Sequence, residues 1–230
     1  MKKNLYKIDN NVERLLIGKP SDFLDNTEFK KVMSKLKNIN CKIYNLYEDQ
    51  EKVILYTKQE PKVSLFRIMS NDKLRHQDIL GAILSMNISP SFLGDIIIDN
   101  NNYYFYVLST LDEFLKDNLN MIGNKKVVIE KIDLNYLKDY KRSYESHEII
   151  VTSLRIDNVI SKILGVNRKD IIDKIKNKEV ILNYEELTKT SYNLKENDVF
   201  SIKRYGKYKF VNVLNKTKKN NLVIKYLKYV

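Results

Sequence analysis

Apolar residues along this chain recur with two periods, and each change of period marks a new element. Asp9 to Ile17 and Thr27 to Ile39 repeat at helical spacing on either side of Gly18-Lys19-Pro20, and Thr27 is placed to cap the second helix. Cys41 to Tyr47, Val53 to Thr57 and Lys62 to Met69 read as strands, with the acidic cluster Glu48-Asp49-Gln50-Glu51 as a solvated turn between the first two. Leu74 to Met86 returns to helical spacing, with Leu74, Ile79, Ile83 and Met86 on one face. Phe92 to Asp99 and Tyr103 to Leu108 predict a hairpin around Asn100-Asn101-Asn102. Thr110 to Met121 predicts an amphipathic helix, and Lys126 to Ile132 a closing strand.

From residue 62 the order is β-α-β-β-α-β, the split ferredoxin-like plan that RNA-recognition motifs share, in which right-handed crossovers place both helices on one face of an antiparallel sheet. An RNA-recognition motif stacks bases on aromatics of its central strands. Tyr103-Tyr104-Phe105-Tyr106 is an unbroken aromatic run, however, and alternate members must face opposite sides of the sheet. Core or edge packing is the expectation for this run. Residues 133–150 read as a connecting segment, partly helical, with Tyr136, Tyr140 and Tyr144 in an i, i+4, i+8 stripe laid on a neighbouring domain.

After residue 150 the pattern predicts a short helix over Arg155 to Leu164 with Ile156, Val159, Ile160 and Ile163 inward, ended by Gly165 in the left-handed conformation. Asn167 is placed to cap a second helix with Asp170 as its capping-box partner. That helix buries Ile171, Ile172 and Ile175, while Arg168 and Lys169 project from its first turn as exposed cations whose removal should hardly alter stability. Lys174, Lys176 and Lys178 line the exit into the strand Val180-Ile181-Leu182, which turns at Asn183-Tyr184. Asn197-Asp198 turns into Val199 to Lys203, and Lys203-Arg204-Tyr205-Gly206-Lys207-Tyr208-Lys209 interleaves cations with aromatics.

Charge sharpens the division. Residues 151–230 hold 18 Lys and Arg against 8 Asp and Glu, which leaves 23 against 21 for the first 150 residues. A field concentrated at one end is the footprint of a polyanion-binding module, because cations on phosphates release condensed counterions. The expected domains are a helical region 1–40, a ferredoxin-like middle domain 41–132, the connector 133–150 and a basic module 151–230, an α+β chain overall. No apolar run reaches the roughly 20 residues of a membrane helix and no signal peptide is evident, so a cytoplasmic protein without a membrane partner is expected. One cysteine and two histidines supply neither an intrachain disulfide nor a zinc set. The six glycines, at 18, 81, 94, 123, 165 and 206, form neither a dinucleotide turn nor a phosphate loop, so no cofactor or metal is expected. His76 and Asp78 stand two apart on a helix and do not face each other. Their expected role is capping or packing, and no catalytic residue is assigned.

Leu154-Arg155-Ile156-Asp157, Asn167-Arg168, Val180-x-Leu182-Asn183 and Asn197-Asp198-Val199 resemble the S4 RNA-binding domain, whose pattern is R-L-D-x-x-L, S-R, G-x-V-x-V-N-G and G-D-x-I. Lys178, Tyr184 and Asn197 stand where that pattern has glycine. His76-x-Asp78-x-Leu80-Gly81-Ala82-x-Leu84, Leu93-Gly94-Asp95-Ile96 and Tyr205-Gly206-Lys207-Tyr208-Lys209 further resemble the YlmH-type S4 proteins, with Gln77 in place of an arginine. The resemblance implies an RNA-binding protein, without enzyme activity, that engages rRNA or tRNA on the large ribosomal subunit in the rescue or quality control of stalled nascent chains. It is expected to act as a monomer. Arg155, Asn167, Arg168, Lys169, Lys174, Lys176, Lys178, Lys203, Arg204, Lys207 and Lys209 are the expected RNA contacts. The alternatives are an RNA-modifying enzyme of the pseudouridine synthase or methyltransferase class and a cell-division scaffold.

Overall fold

The computed structural model of the protein describes residues 2–37 and 39–229, with side chains from Tyr6 onward. Met1 and Val230, the ends of the expected first and last regions, and Asn38, inside the expected second helix, lie outside them. The chain divides into two compact units between Lys141 and Arg142.

In the first unit, α1 (Lys2–Leu16) and α2 (Asn26–Lys35) precede a two-stranded ribbon of β1 (Lys42–Tyr44) and β2 (Ile54–Tyr56). The cap of α2 is Asp25 and not Thr27. Its carboxylate accepts the Glu28 N–H at 2.8 Å while the Glu28 carboxylate accepts the Asp25 N–H at 3.2 Å, so two orphan donors are satisfied reciprocally. Then follow β3 (Val63–Met69), α3 (His76–Ser85), β4 (Leu93–Asp99), β5 (Asn102–Leu108), α4 (Asp112–Asn118), the short hairpin β6 (Met121–Ile122) and β7 (Lys125–Lys126), and β8 (Val128–Ile132). The four long strands form one antiparallel sheet in the order β4-β5-β3-β8. The helix expected over Thr110 to Met121 is shortened at both ends. Ser109–Leu111 is a 3-10 turn, and Met121 pairs with Lys126 across Gly123 at φ +61°. Asn118, Asn120 and Gly123 are poor helix residues and good turn residues, and they stop α4 early.

Strand β5 is buried on both faces. Tyr103, Tyr104, Phe105 and Tyr106 are each at most 3% exposed. Tyr103 and Phe105 join Ile79 and Ile83 of α3 and Leu115 of α4 in one core. Tyr104 and Tyr106 join Phe23, Tyr47, Ile54 and Leu137 in another, on the opposite side of the sheet. Each buried ring contributes about 1.5–3 kcal/mol, so the N-terminal segments are a layer of this unit and not a separate lead-in. The Leu93-Gly94-Asp95 stretch serves the same contact. A Cβ at Gly94 would lie 1.9 Å from the Tyr106 ring, and buried Asp95 accepts the Tyr47 hydroxyl at 2.5 Å and the Glu51 N–H at 2.8 Å.

Residues 133–150 depart from the expected connector. Leu134–Leu137 is a single 3-10 turn that lays Tyr136 on Tyr104, with ring centroids 5.1 Å apart, and Tyr140 lies 5.0 Å from Tyr47. Burial and the Tyr136 hydroxyl push the Tyr104 phenol up to about 12. Tyr144 belongs instead to a strand, β9 (Tyr144–Val151), of the second unit. No helical stripe forms. The strand's partner lies almost eighty residues downstream, so local sequence carries little sign of it.

The second unit contains β9, α5 (Ile156–Leu164), α6 (Arg168–Lys176), β10 (Val180–Leu182), β11 (Glu185–Glu186), β12 (Val199–Ile202), β13 (Gly206–Lys216) and β14 (Leu222–Tyr229). Its six-stranded antiparallel sheet runs β11-β10-β12-β13-β14-β9. Phe200, Ile202, Tyr208, Phe210, Ile224 and Tyr226 point to one face, where Ile156, Val159, Ile160, Ile171 and Ile175 of the two helices cover them. Gly165 ends α5 at φ +65° as expected. The three residues that replace pattern glycines all keep the left-handed backbone: Lys178 at φ +58°, Tyr184 at +69° and Asn197 at +67°. Lys178 closes α6 in a Schellman arrangement, its N–H bonding the Ile175 carbonyl at 3.0 Å while the Glu179 N–H bonds that of Lys174 at 2.9 Å.

A Cβ in that conformation is strained by about 1–2 kcal/mol, partly offset on replacement by glycine's greater freedom in the unfolded chain. Lys178→Gly is therefore expected to raise stability by about 0.5–1 kcal/mol in urea unfolding. Lys178→Ala keeps the Cβ and loses only the surface pair with Glu186, so it should stay within about 0.5 kcal/mol of the parent. Equal effects from the two substitutions would contradict the strain.

Candidate nucleic-acid interface

Asp157 organises the helical side of the second unit. Its side chain is fully buried, and its carboxylate accepts Arg155 Nη2 at 2.9 Å, Arg168 Nη2 at 2.9 and 3.0 Å, and the Asn158 N–H at 2.8 Å. Burial pushes the carboxyl up, but the hydrogen bonds from Arg155 and Arg168 outweigh it and hold the group below the usual carboxylate range. Both arginine side chains remain about two-fifths exposed, at 40% and 44%, so each guanidinium has one edge on the carboxylate and another in solvent. Arg168 is thus a structural partner as well as a surface cation, contrary to the expectation that it projects freely. Asn167 does occupy the cap position of α6, yet its side chain makes no cap hydrogen bond and no capping box with Asp170 forms.

Further along α6 most cations are paired within the unit. Lys174 bonds Glu179 at 2.9 Å, and its ammonium lies 5.3 Å from the centre of the Tyr205 ring. Lys178 bonds Glu186 at 2.9 Å, and Lys176 approaches Asp173 at 4.0 Å. Exposed pairs of this kind contribute at most about 1 kcal/mol each, so a phosphate can compete for the cation. Lys169, Lys203 and Arg204 are exposed with no close ion pair among the described residues, and Arg204 takes φ +73° in the turn between β12 and β13. Lys174, Lys203 and Arg204 all act on Glu179, which places them together around the exit of α6.

Lys207 and Lys209 lie elsewhere. They alternate with Tyr208 and Phe210 along β13, and since those rings face the helices, the two lysines face the opposite, outer side of the sheet. The eleven expected contacts therefore divide between a helical side and a sheet side. In the sequence Asp157 is only a motif letter, and nothing in its immediate neighbours announces that it would gather both Arg155 and, eleven residues downstream, Arg168. Asn183 and Asp198, also motif letters, meet at 2.7 Å, and Asn183 accepts the Val199 N–H at 2.9 Å, which ties the two turns together.

In the first unit Asp78 pairs with Arg75, through bonds of 2.9 and 2.8 Å, at the start of α3. Among the described residues no group of three or more His, Cys, Asp or Glu is placed to hold a metal, and no helix is long and apolar enough to cross a membrane.

Residues 57–136 match the family model of the putative RNA-binding domain in YlmH. That span starts directly after β2 and ends on Tyr136, so it takes in the whole four-stranded sheet. A ribosome-associated protein quality control protein P2 of Bacillus subtilis (strain 168) is 27% identical over 162 residues, 69% of this chain and 63% of the relative. The chain thus spans less than two thirds of the curated relative's length. A solved structure, cell division protein ylmH from Streptococcus pneumoniae, aligns with a TM-score of 0.48 at 20% identity over 59% of this chain and 92% of that one.

Arg168→Ala leaves a buried carboxylate with one guanidinium partner, and a loss of about 1–3 kcal/mol in unfolding free energy is expected. Lys169→Ala should cost less than about 0.5 kcal/mol. Because the Asp157 carboxyl titrates lower folded than unfolded, its contribution is complete above an unfolded value of about 3.9 and is lost as pH falls through the lower folded value. Thermal melts from pH 5 to 2.5 should show an acid-labile component that Asp157→Asn removes. Identical acid profiles for the two proteins would contradict the clamp.

Proposed function

We propose that the protein binds structured RNA through its second unit and works on the ribosome, in the handling of stalled nascent-chain complexes. The observation that carries this reading is the Arg155–Asp157–Arg168 clamp, which presents two oriented guanidinium edges in a unit whose cations greatly exceed its carboxylates. Oriented arginines on a rigid frame suit phosphate oxygens, which accept paired N–H bonds, and contacts of this kind fix register without reading base edges. The S4-type plan is supported by the meeting of Asn183 with Asp198 and by the left-handed turns at Lys178, Tyr184 and Asn197, where that pattern has glycine.

A ferredoxin-like plan for the first unit is supported by its β-α-β-β-α-β order and sheet order, and an RNA role for it by the matched domain's description. Its aromatic run is packed on both faces, so we place any RNA contact of this unit away from the sheet surface. The ribosome and the quality-control pathway are carried over from the relative's name. Large-subunit rRNA together with tRNA is our reading of the RNA bound, by a cytoplasmic monomer acting as a binding protein and not an enzyme. Lys169, Lys203 and Arg204 are its leading phosphate contacts, with Arg155, Arg168, Lys174, Lys176 and Lys178 beside them.

In gradient sedimentation of cell lysate the full chain is expected to travel with ribosomal particles and to be released by RNase or by high salt. Lys169→Ala, Lys203→Ala and Arg204→Ala combined should weaken RNA binding and flatten the plot of log affinity against log salt by up to about three units. Removing Lys30 and Lys37 from the first unit should leave the slope unchanged. Association that resists both RNase and salt would favour the scaffold alternative, and a modified nucleotide that disappears with the gene would favour the enzyme.

A further inference from the structure

On the outer face of the six-stranded sheet, away from both helices, rings and cations alternate from strand to strand. The Lys207 ammonium sits 4.8 Å from the Tyr184 ring centre and 4.9 Å from that of Tyr229, so one cation joins two rings. Tyr229 in turn carries the Arg142 guanidinium at 5.5 Å and meets Tyr144 edge to face at 5.1 Å. Register places further cations on the same face. Lys209 is opposite Leu227, and Lys225, two residues before Leu227 on β14, points the same way as Tyr229. The helical side has a different chemistry, in which its paired cations rest mainly on carboxylates.

Tyr184 supplies the second, independent observation. It occupies the tight turn between β10 and β11 at φ +69°, a conformation that costs an aromatic residue strain and suits glycine. The same turn built with glycine would be easier to form but would hold no ring over Lys207. Strain retained at a residue whose ring completes a ligand-type arrangement points to function.

We infer that this outer face is a second RNA-contact surface, and that its occupant is an unpaired strand. The inference rests on the RNA-binding reading above and deepens it by dividing the work, with structured RNA on the helical side and single-stranded RNA on the sheet side. Cations seated among aromatic rings on a broad sheet follow the pattern of single-strand binding, in which the backbone tracks the positive charge while bases stack on or edge against the rings. A duplex has its bases internally stacked and gains only the charge.

The test uses the full-length chain and two labelled probes, a 15-nucleotide oligouridylate and a fully paired RNA hairpin. Tyr184→Ala with Lys207→Ala is expected to weaken oligouridylate binding at least tenfold and hairpin binding less than twofold. Lys209→Ala with Lys225→Ala touches none of the rings and should keep the fold. It is expected to weaken the oligouridylate three- to tenfold with the hairpin again within twofold, which keeps the inference testable should the first variant melt early. Parallel loss of both probes would overturn it in favour of a general charge effect, as would a parent chain that binds the hairpin and not the oligouridylate. Failure of the parent to bind either probe would instead remove the RNA-binding reading on which the inference rests.

Discussion

The double burial of strand β5 constrains the first unit more than any other interaction. Pleating sends Tyr103 and Phe105 to one face and Tyr104 and Tyr106 to the other, and four consecutive aromatics cannot be hidden unless both faces are covered. Helices α3 and α4 cover one. The other is covered by Phe23, by Tyr47 and Ile54 from the ribbon region, and by Leu137 from the turn after β8. Gly94 gives the Tyr106 ring its room, and Asp95 holds the loop that closes over it. The sheet surface that an RNA-recognition motif offers to bases is in this protein an interior.

In the second unit the same alternation has the opposite outcome. One face of the sheet is sealed by α5 and α6, and the other keeps polar, basic and aromatic side chains together. Its surface charge is accordingly of two kinds. Around α5 and α6, carboxylates orient the cations, and among those of the described residues that pair with them Asp157 is the buried one. On the outer face, rings orient Lys207 and Arg142. Both arrangements restrict the freedom of long side chains.

Much of this was legible from local signals. Helical and alternating periods located the α-helices and the main strands of the described residues, and the β-α-β-β-α-β order followed from them. Core or edge packing of the aromatic run at 103–106 followed from its alternation, and the structure buries all four rings. Gly165 as a left-handed terminator followed from position alone. What escaped was non-local. Tyr144–Val151 is a strand only because β14, far downstream, pairs with it, and Arg168 looks like a free cation until α5 brings Asp157 beneath it. Thr27 has the residue type of a cap, but the reciprocal bonds with Glu28, which only the folded backbone reveals, give that place to Asp25. The partition of Lys207 and Lys209 from the α6 cations needed the facing of β13, which the isolated run Lys203 to Lys209 does not specify.

The measurement that bears most directly on this account is photo-crosslinking of the full-length protein to bound RNA, with the attached nucleotides located by mass spectrometry of the peptides. Crosslinks are expected on peptides containing Arg168-Lys169, Lys203 to Lys209, Tyr184 and Tyr229, and none on Tyr103 to Tyr106. Nucleotides attached to Tyr104 or Tyr106, with the second unit unlabelled, would mean that the covered sheet face opens to RNA, and would contradict it.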